Sequence, residues 1–156
     1  ESYESEKYKK KLHPILMKLV LLLKYQARKK DVVFDLSSIQ NNAPLITNYT
    51  YLGLYILLEN SVKHSIPKGK VYISFVENEK TTKVIIKNTG QKIEKEEIKF
   101  LCTRGYRGKN TISKGTGLGL EMAKRIFEEN DCIFKIDVTD NGKYSDFIVS
   151  VEFNNK

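Results

Sequence analysis

Glycines at every second position, Gly115, Gly117 and Gly119, lead into Leu120-Glu121-Met122-Ala123-Lys124-Arg125-Ile126, a run that favours helix. Lacking a Cβ, such a loop lets the backbone approach a bulky ligand and adopt positive φ. The helix behind it offers unpaired N–H groups and the positive end of its dipole, a natural seat for phosphate. Just upstream, Arg104, Arg107, Lys109 and Lys114 can close over the same negative charge. On spacing alone, a tight turn in a basic, solvated loop explains the stretch equally. No G-x-x-x-x-G-K-[ST] loop occurs, and no strand leads straight into these glycines as a dinucleotide fingerprint requires.

Two further segments carry groups that suit a nucleotide. In Leu57-Leu58-Glu59-Asn60-Ser61-Val62-Lys63-His64, the residues Leu57, Leu58 and Val62 extend an apolar face begun by Leu54, while Asn60 and Lys63, three apart, point the same way. An amide carbonyl is a suitable hard ligand for Mg²⁺, and a lysine one turn on reaches phosphate. In Val84-Ile85-Ile86-Lys87-Asn88-Thr89-Gly90-Gln91-Lys92-Ile93 an apolar strand is expected to end at Asn88, with Gly90 permitting a turn. Asn88 can accept a hydrogen bond from an adenine amino group while Ile93 packs on the ring. Each segment also has a plain structural reading: an exposed helix face for the first, a strand-ending Asx turn for the second.

The elements that must position these residues follow from periodicity. Tyr8, Leu12, Ile15, Leu16, Leu19, Leu22 and Leu23 recur at helical steps, so a helix is expected over 5–29, with Pro14 as its weak point. A strand over 31–36, a loop over 37–47 and a helix over 50–65 follow, the last stopped by Pro67-Lys68-Gly69. Strands over 71–76 and 83–87 form a hairpin through residues 77–80. A short helix over 94–101, a basic loop over 102–115 and a helix over 117–129 come next, and strands over 133–138 and 147–153 close the chain. Interleaved strands and helices predict an α/β (α+β) two-layer sandwich with a mixed sheet. No linker is visible after residue 30, which divides an N-terminal helix at 1–30 from a domain at 31–156.

At 156 residues the chain is long enough for one domain with a real core. The apolar stretch near Ile15–Leu23 is too short and too charged to span a bilayer. Cys102 and Cys132 make neither a disulfide framework nor a zinc spacing, which favours a reducing, cytoplasmic setting and silent thiols. The formal charge of +8 suits an anionic partner. Its groups at Lys7–Lys11 and Arg28–Lys30 read as solvated faces, and no aromatic-basic ribbon accompanies them, so nucleic acid ranks below a nucleotide as partner.

In this order the three segments resemble the N box, G1 box and G2 box of the GHKL superfamily of ATPases. That superfamily includes sensor histidine kinases, gyrase-type topoisomerases, Hsp90 chaperones and mismatch-repair ATPases. The resemblance covers about residues 31–153 and implies the Bergerat fold: about five strands in a mixed sheet backed by three helices. It implies ATP and Mg²⁺, with Asn60 as metal ligand and Lys63 on the phosphates. Asn88, Gly90 and Ile93 would hold the base, and Gly115, Thr116, Gly117, Leu118, Gly119 and Leu120 the phosphates. Residues 100–114 would form the lid, with Arg104 and Arg107 as its phosphate contacts.

Three positions depart from the family pattern. Asn88 stands where the G1 box usually has an aspartate. Lys92 replaces that box's second glycine, where it can crowd the turn or add a cation near the nucleotide. Ile56 stands where gyrase-like members carry a water-activating glutamate, which favours the kinase branch. The resemblance therefore implies the ATP-binding catalytic domain of a two-component sensor histidine kinase. Lys63, Arg104 and Arg107 would assist transfer to a histidine outside this segment, on a phosphoacceptor domain that serves a response regulator. Neither His13 nor His64 fits that acceptor. The helix over 5–29 reads as a connector or the remnant of a dimerisation hairpin, and offers a stripe for a homodimer in a parent with or without a membrane anchor. Asn88, Lys92 and Ile56 equally support an alternative, a nucleotide-sensing pseudokinase that binds ATP without transferring phosphate.

Overall fold

Helical spacing of apolar side chains is realised in α1, Leu12–Lys29, where Leu12, Ile15, Leu16, Leu19, Leu23 and Ala27 are all buried. The computed structural model describes residues 9–39, 45–103 and 119–154. Helix α1 starts later than its periodicity suggests, because β1, Lys9–Lys11, is extended and pairs antiparallel with β3, Leu45–Thr47. Pro14 falls within the first turn of α1, where backbone N–H groups have no intrahelical acceptor, so the expected break does not arise. The helix ends on Asp31, whose φ of 53° closes the turn as the Val32 N–H reaches back to the Ala27 carbonyl at 2.9 Å.

Five strands form the main sheet in the order β2-β4-β5-β7-β6. They are β2 (Val33–Asp35), β4 (Lys70–Glu77), β5 (Thr81–Gln91), β6 (Ile133–Asn141) and β7 (Tyr144–Asn154). Only β2 and β4 run parallel; the other neighbours are antiparallel, so the sheet is mixed. Helices α1, α2 (Asn48–His64) and α4 (Gly119–Glu129) are joined by the short α3 (Lys95–Ile98). The fold is thus the expected two-layer sandwich. Strand alternation fills its middle: Val84 and Ile86 of β5, Val149, Val151 and Phe153 of β7, and Val71 and Ile73 of β4 are buried. The buried side chains of α1 belong to the same core cluster as those of α2 and the sheet, so packing runs across residue 30 without a break.

Phe127 is the hinge pin of the helical layer. It is fully buried, stacked on Phe134 at 6.2 Å and edge-on to Phe153 at 6.1 Å. On its other side lies Gly53 of α2, where an added Cβ would stand 2.7 Å from the Phe127 ring. That absent side chain is what allows α2 and α4 to approach. Burial pushes the Cys132 thiol up to about 11 and raises that of Cys102, so neither is a ready thiolate at neutral pH. Among the described residues, no helix is long and apolar enough to cross a membrane.

Candidate functional site

The C-terminal end of α2 is fixed to the C-terminal end of β5. Ser65 bridges Gly90, and the Ile66 N–H donates to the Thr89 carbonyl at 2.9 Å. Gly90 is required by that approach: a Cβ there would lie 2.5 Å from the His64 carbonyl oxygen and 3.0 Å from the Phe147 ring. The last turns of α2, carrying Asn60 and Lys63, are therefore held in one piece with the strand end that carries Asn88. Leu57, Leu58, Ser61 and Val62 are buried, while Asn60 and Lys63 are half-buried on the rim.

Lys30 adds to this junction. Its ammonium donates to the Lys63 carbonyl at 2.7 Å and the Val62 carbonyl at 3.3 Å, placing a cation at the negative end of α2. Burial lowers its pKa. Lys30 is thus not part of a solvated face, as the charge grouping suggests; it is the carbonyl cap of the helix bearing Asn60.

Strand β5 does not stop at Asn88. It continues to Gln91, because β7 extends the ladder through Gly90↔Ser145 and Gln91↔Tyr144. Thr82, Val84, Ile86, Asn88 and Gly90 form its buried row, so Asn88 faces the helical layer rather than closing an Asx turn. It is only 5% exposed, and its Nδ2 is buried without a hydrogen-bond partner among the described residues. Such an atom costs roughly 1–3 kcal/mol unless something bonds to it, which makes it a mark of an incomplete site.

Past β5, Ser145 holds the chain in place. It is 1% exposed, and its Oγ accepts from the Ile93 N–H at 2.9 Å. Nothing local in the sequence singles out this serine; its one signal is the parity that places it on the same face of β7 as Val149, Val151 and Phe153. Lys92 neither crowds the turn nor stands free as an extra cation. It donates to the Asp140 carboxylate and to the Gly142 carbonyl at 3.1 Å, both at the β6–β7 turn. The Lys92 ammonium holds the Asp140 carboxyl below the usual carboxylate range.

The opposite face of β5 is tied by Thr89, whose hydroxyl donates to Asp146 at 2.5 Å. That bond, with further help from Asn141 and Lys87 and against desolvation, holds the Asp146 carboxyl below its ordinary 3.8. A depressed carboxylate contributes stability that is fully present above the unfolded value and is lost as pH falls through the folded one. Asp146→Asn is accordingly expected to flatten the acid limb of stability measured by urea unfolding against pH. An acid limb identical to that of the parent would remove this role.

Helix α4 begins at Gly119, beside α2. A Cβ on Gly119 would sit 3.4 Å from the Ile56 side chain, so the helix N-terminus lies against the turn of α2 that precedes Asn60. Leu120 is half-buried against the core. The fold thus gathers Asn60, Lys63, Asn88, Gly90, Ile93, Gly119 and Leu120 along the α2–β5–α4 side of the domain. Arg104, Arg107, Gly115, Thr116, Gly117 and Leu118 lie outside the described residues. Among the described residues, no group of three or more His, Cys, Asp or Glu forms a metal nest.

Residues 51–155 match the family model described as histidine kinase-, DNA gyrase B-, and HSP90-like ATPase. The chain is 26% identical to the heme sensor protein HssS of Staphylococcus saprophyticus over 83% of its own length and 28% of that protein. It is 32% identical to the sensor protein SrrB of Staphylococcus aureus over 61% of its own length and 17% of SrrB. It therefore spans less than a third of either relative. In shape it resembles the mycobacterial sensor histidine kinase MprB, with a TM-score of 0.73 at 16% identity, covering 94% of this chain and 97% of that one. At that identity the likeness speaks to the fold alone.

Proposed function

We propose that this chain, which belongs to the histidine kinase-, DNA gyrase B- and HSP90-like ATPases, serves as the ATP-binding catalytic domain of a sensor histidine kinase, as its likeness to the sensor proteins HssS and SrrB supports, and donates the ATP γ-phosphoryl to a histidine on another domain. The observation that carries the site is the Asn88 side chain, whose Nδ2 is buried with no partner among the described residues, on a strand held against the helix of Asn60 by the Ser65–Gly90 bridge. An adenine edge fits such an amide, and Ile93, positioned by Ser145, flanks it. The Asn60 carbonyl would hold Mg²⁺ together with phosphate oxygens, since hard cations take amide and phosphate oxygens and keep water as well. Bound there, Mg²⁺ would neutralise charge on the phosphates. Lys63 reaches the phosphates from the same rim.

Gly119 and Leu120 open α4, whose N-terminus favours the phosphates together with Gly115, Thr116, Gly117 and Leu118. Arg104 and Arg107 would close over them. Phosphoryl transfer needs positioning and charge stabilisation more than covalent help from the protein. Ile56 supplies no base for water, which supports transfer over hydrolysis. The same proposal includes a phosphoacceptor domain and a response regulator as partners, and a cytoplasmic site of action. The stripe that the sequence offers for a homodimer is taken up by the domain's own core at Leu12, Ile15, Leu16, Leu19 and Leu23, so dimerisation would use instead the exposed Met17, Leu21, Leu22 and Tyr25 face of α1.

Calorimetric titration with a non-hydrolysable ATP analogue and Mg²⁺ tests the site. Asn60→Ala is expected to weaken Mg²⁺-dependent binding roughly ten- to hundredfold, the loss of one bond to a charged centre. Equal, undetectable binding by parent and variant would remove the ATP reading. Label from γ-labelled ATP that never reaches an added phosphoacceptor domain would remove the transfer.

A further inference from the structure

The amide of Asn88 differs from a carboxylate in one property that matters for the base. A carboxylate at this position offers acceptor atoms only, so it pairs with an exocyclic amino group and repels an exocyclic oxygen. An amide carries an acceptor on one side and a donor on the other. Adenine presents an amino donor at C6 and an acceptor at N1. A 6-oxopurine presents the reverse: a carbonyl acceptor at C6 and an N–H donor at N1. Turning the amide over about its last side-chain bond exchanges one complement for the other.

Whether an amide can turn depends on what else it bonds to, because its orientation is set by its hydrogen-bond network. Nδ2 of Asn88 is buried and has no partner among the described residues. No bond to Nδ2 has to be broken for the flip. Ser65 Oγ, on the residue bridged to Gly90, is also buried with no partner among the described residues, but it lies at the turn of Gly69, where an added Cβ would stand 2.8 Å from it. Lys92, which as a fixed cation would favour an exocyclic carbonyl, is bound instead to Asp140 and Gly142. Base selection at this end of β5 therefore falls to an uncharged, reversible group.

We infer that the site accepts 6-oxopurine nucleoside triphosphates as well as ATP, with Asn88 as the residue that relaxes the choice. This rests on the nucleotide site proposed above. The test uses the full 156-residue chain and two probes, ATP and inosine triphosphate, each with Mg²⁺, titrated calorimetrically. Inosine triphosphate differs from ATP only at the C6 and N1 edge. The two dissociation constants are expected to lie within about tenfold of each other. Asn88→Asp should widen the gap between the two dissociation constants by about fiftyfold or more at the expense of inosine triphosphate, since a carboxylate faces the carbonyl without a donor.

The wild-type ratio needs no variant, so a poorly folding Asn88→Asp does not shield the idea. ATP bound by the wild type with inosine triphosphate about a hundredfold weaker would overturn the relaxed choice and leave the ATP site standing. An unchanged ratio in a folded Asn88→Asp would overturn the role of Asn88. Binding of neither nucleotide would remove the ATP site and the inference together.

Discussion

Phe127→Ala is expected to lower the stability of the domain by about 4 kcal/mol, the usual cost of emptying a fully buried aromatic position. The ring is 0% exposed and touches both layers, stacking on Phe134, meeting Phe153 edge-on, and filling the space left by Gly53. Gly53, the α2 position against the ring, has no side chain to swing into the gap. The cavity would lie at the join of α2, α4, β6 and β7. For a chain of this size the loss corresponds to roughly 10 °C in melting temperature. Thermal unfolding followed by circular dichroism checks it; a change of less than about 1 kcal/mol would show that the helices close the gap.

Gly90→Ala is the second large effect, expected at about 3 kcal/mol through overpacking. The added methyl group would stand 2.5 Å from the His64 carbonyl oxygen, and that oxygen belongs to backbone, which cannot rotate away as a side chain can. Relief requires the end of α2 to separate from β5. That motion breaks the Ser65–Gly90 bridge and shifts Asn60 relative to Asn88. Nucleotide affinity should therefore fall with stability, even at temperatures where the variant is folded. Gly142→Ala is the control. Gly142 has a φ of 63° but nothing within 4 Å of an added Cβ, so a methyl group there strains only the β6–β7 turn and leaves the α2–β5 junction as it is, at about 1 kcal/mol. If both variants keep full affinity in calorimetric titration, the junction does not position the site.

These two glycines show where local pattern stops being informative. The long periodic stretches were readable: α1, α2, the β4–β5 hairpin, α4, and the β6–β7 pair all stand near their expected places. The order Asn60, Asn88, Gly115–Leu120 was enough to point to the family that the match over residues 51–155 shows, because motif spacing needs no tertiary knowledge. The three-residue strands β1 and β3 were not, since one and a half periods carry no alternation and their pairing is remote. Asn88-Thr89-Gly90 reads locally as a turn, yet β7 supplies ladder partners that keep it extended. The roles of Lys30 and Ser145 depend on where distant backbone atoms arrive, Lys63 for one and Ile93 for the other. The reason Gly90 must be glycine is likewise a carbonyl from another element.

Ile56, seated against Gly119, has a consequence for timing. In the proposed donor the terminal phosphate waits beside hydrocarbon rather than beside a base. A sensor spends most of its life unstimulated, and idle turnover in that interval would drain nucleotide and blur the resting state. A domain that stays loaded has a quiet background instead. In the same proposal the first transfer after a stimulus would wait only for the acceptor, whereas each later one would also wait for spent nucleotide to be exchanged.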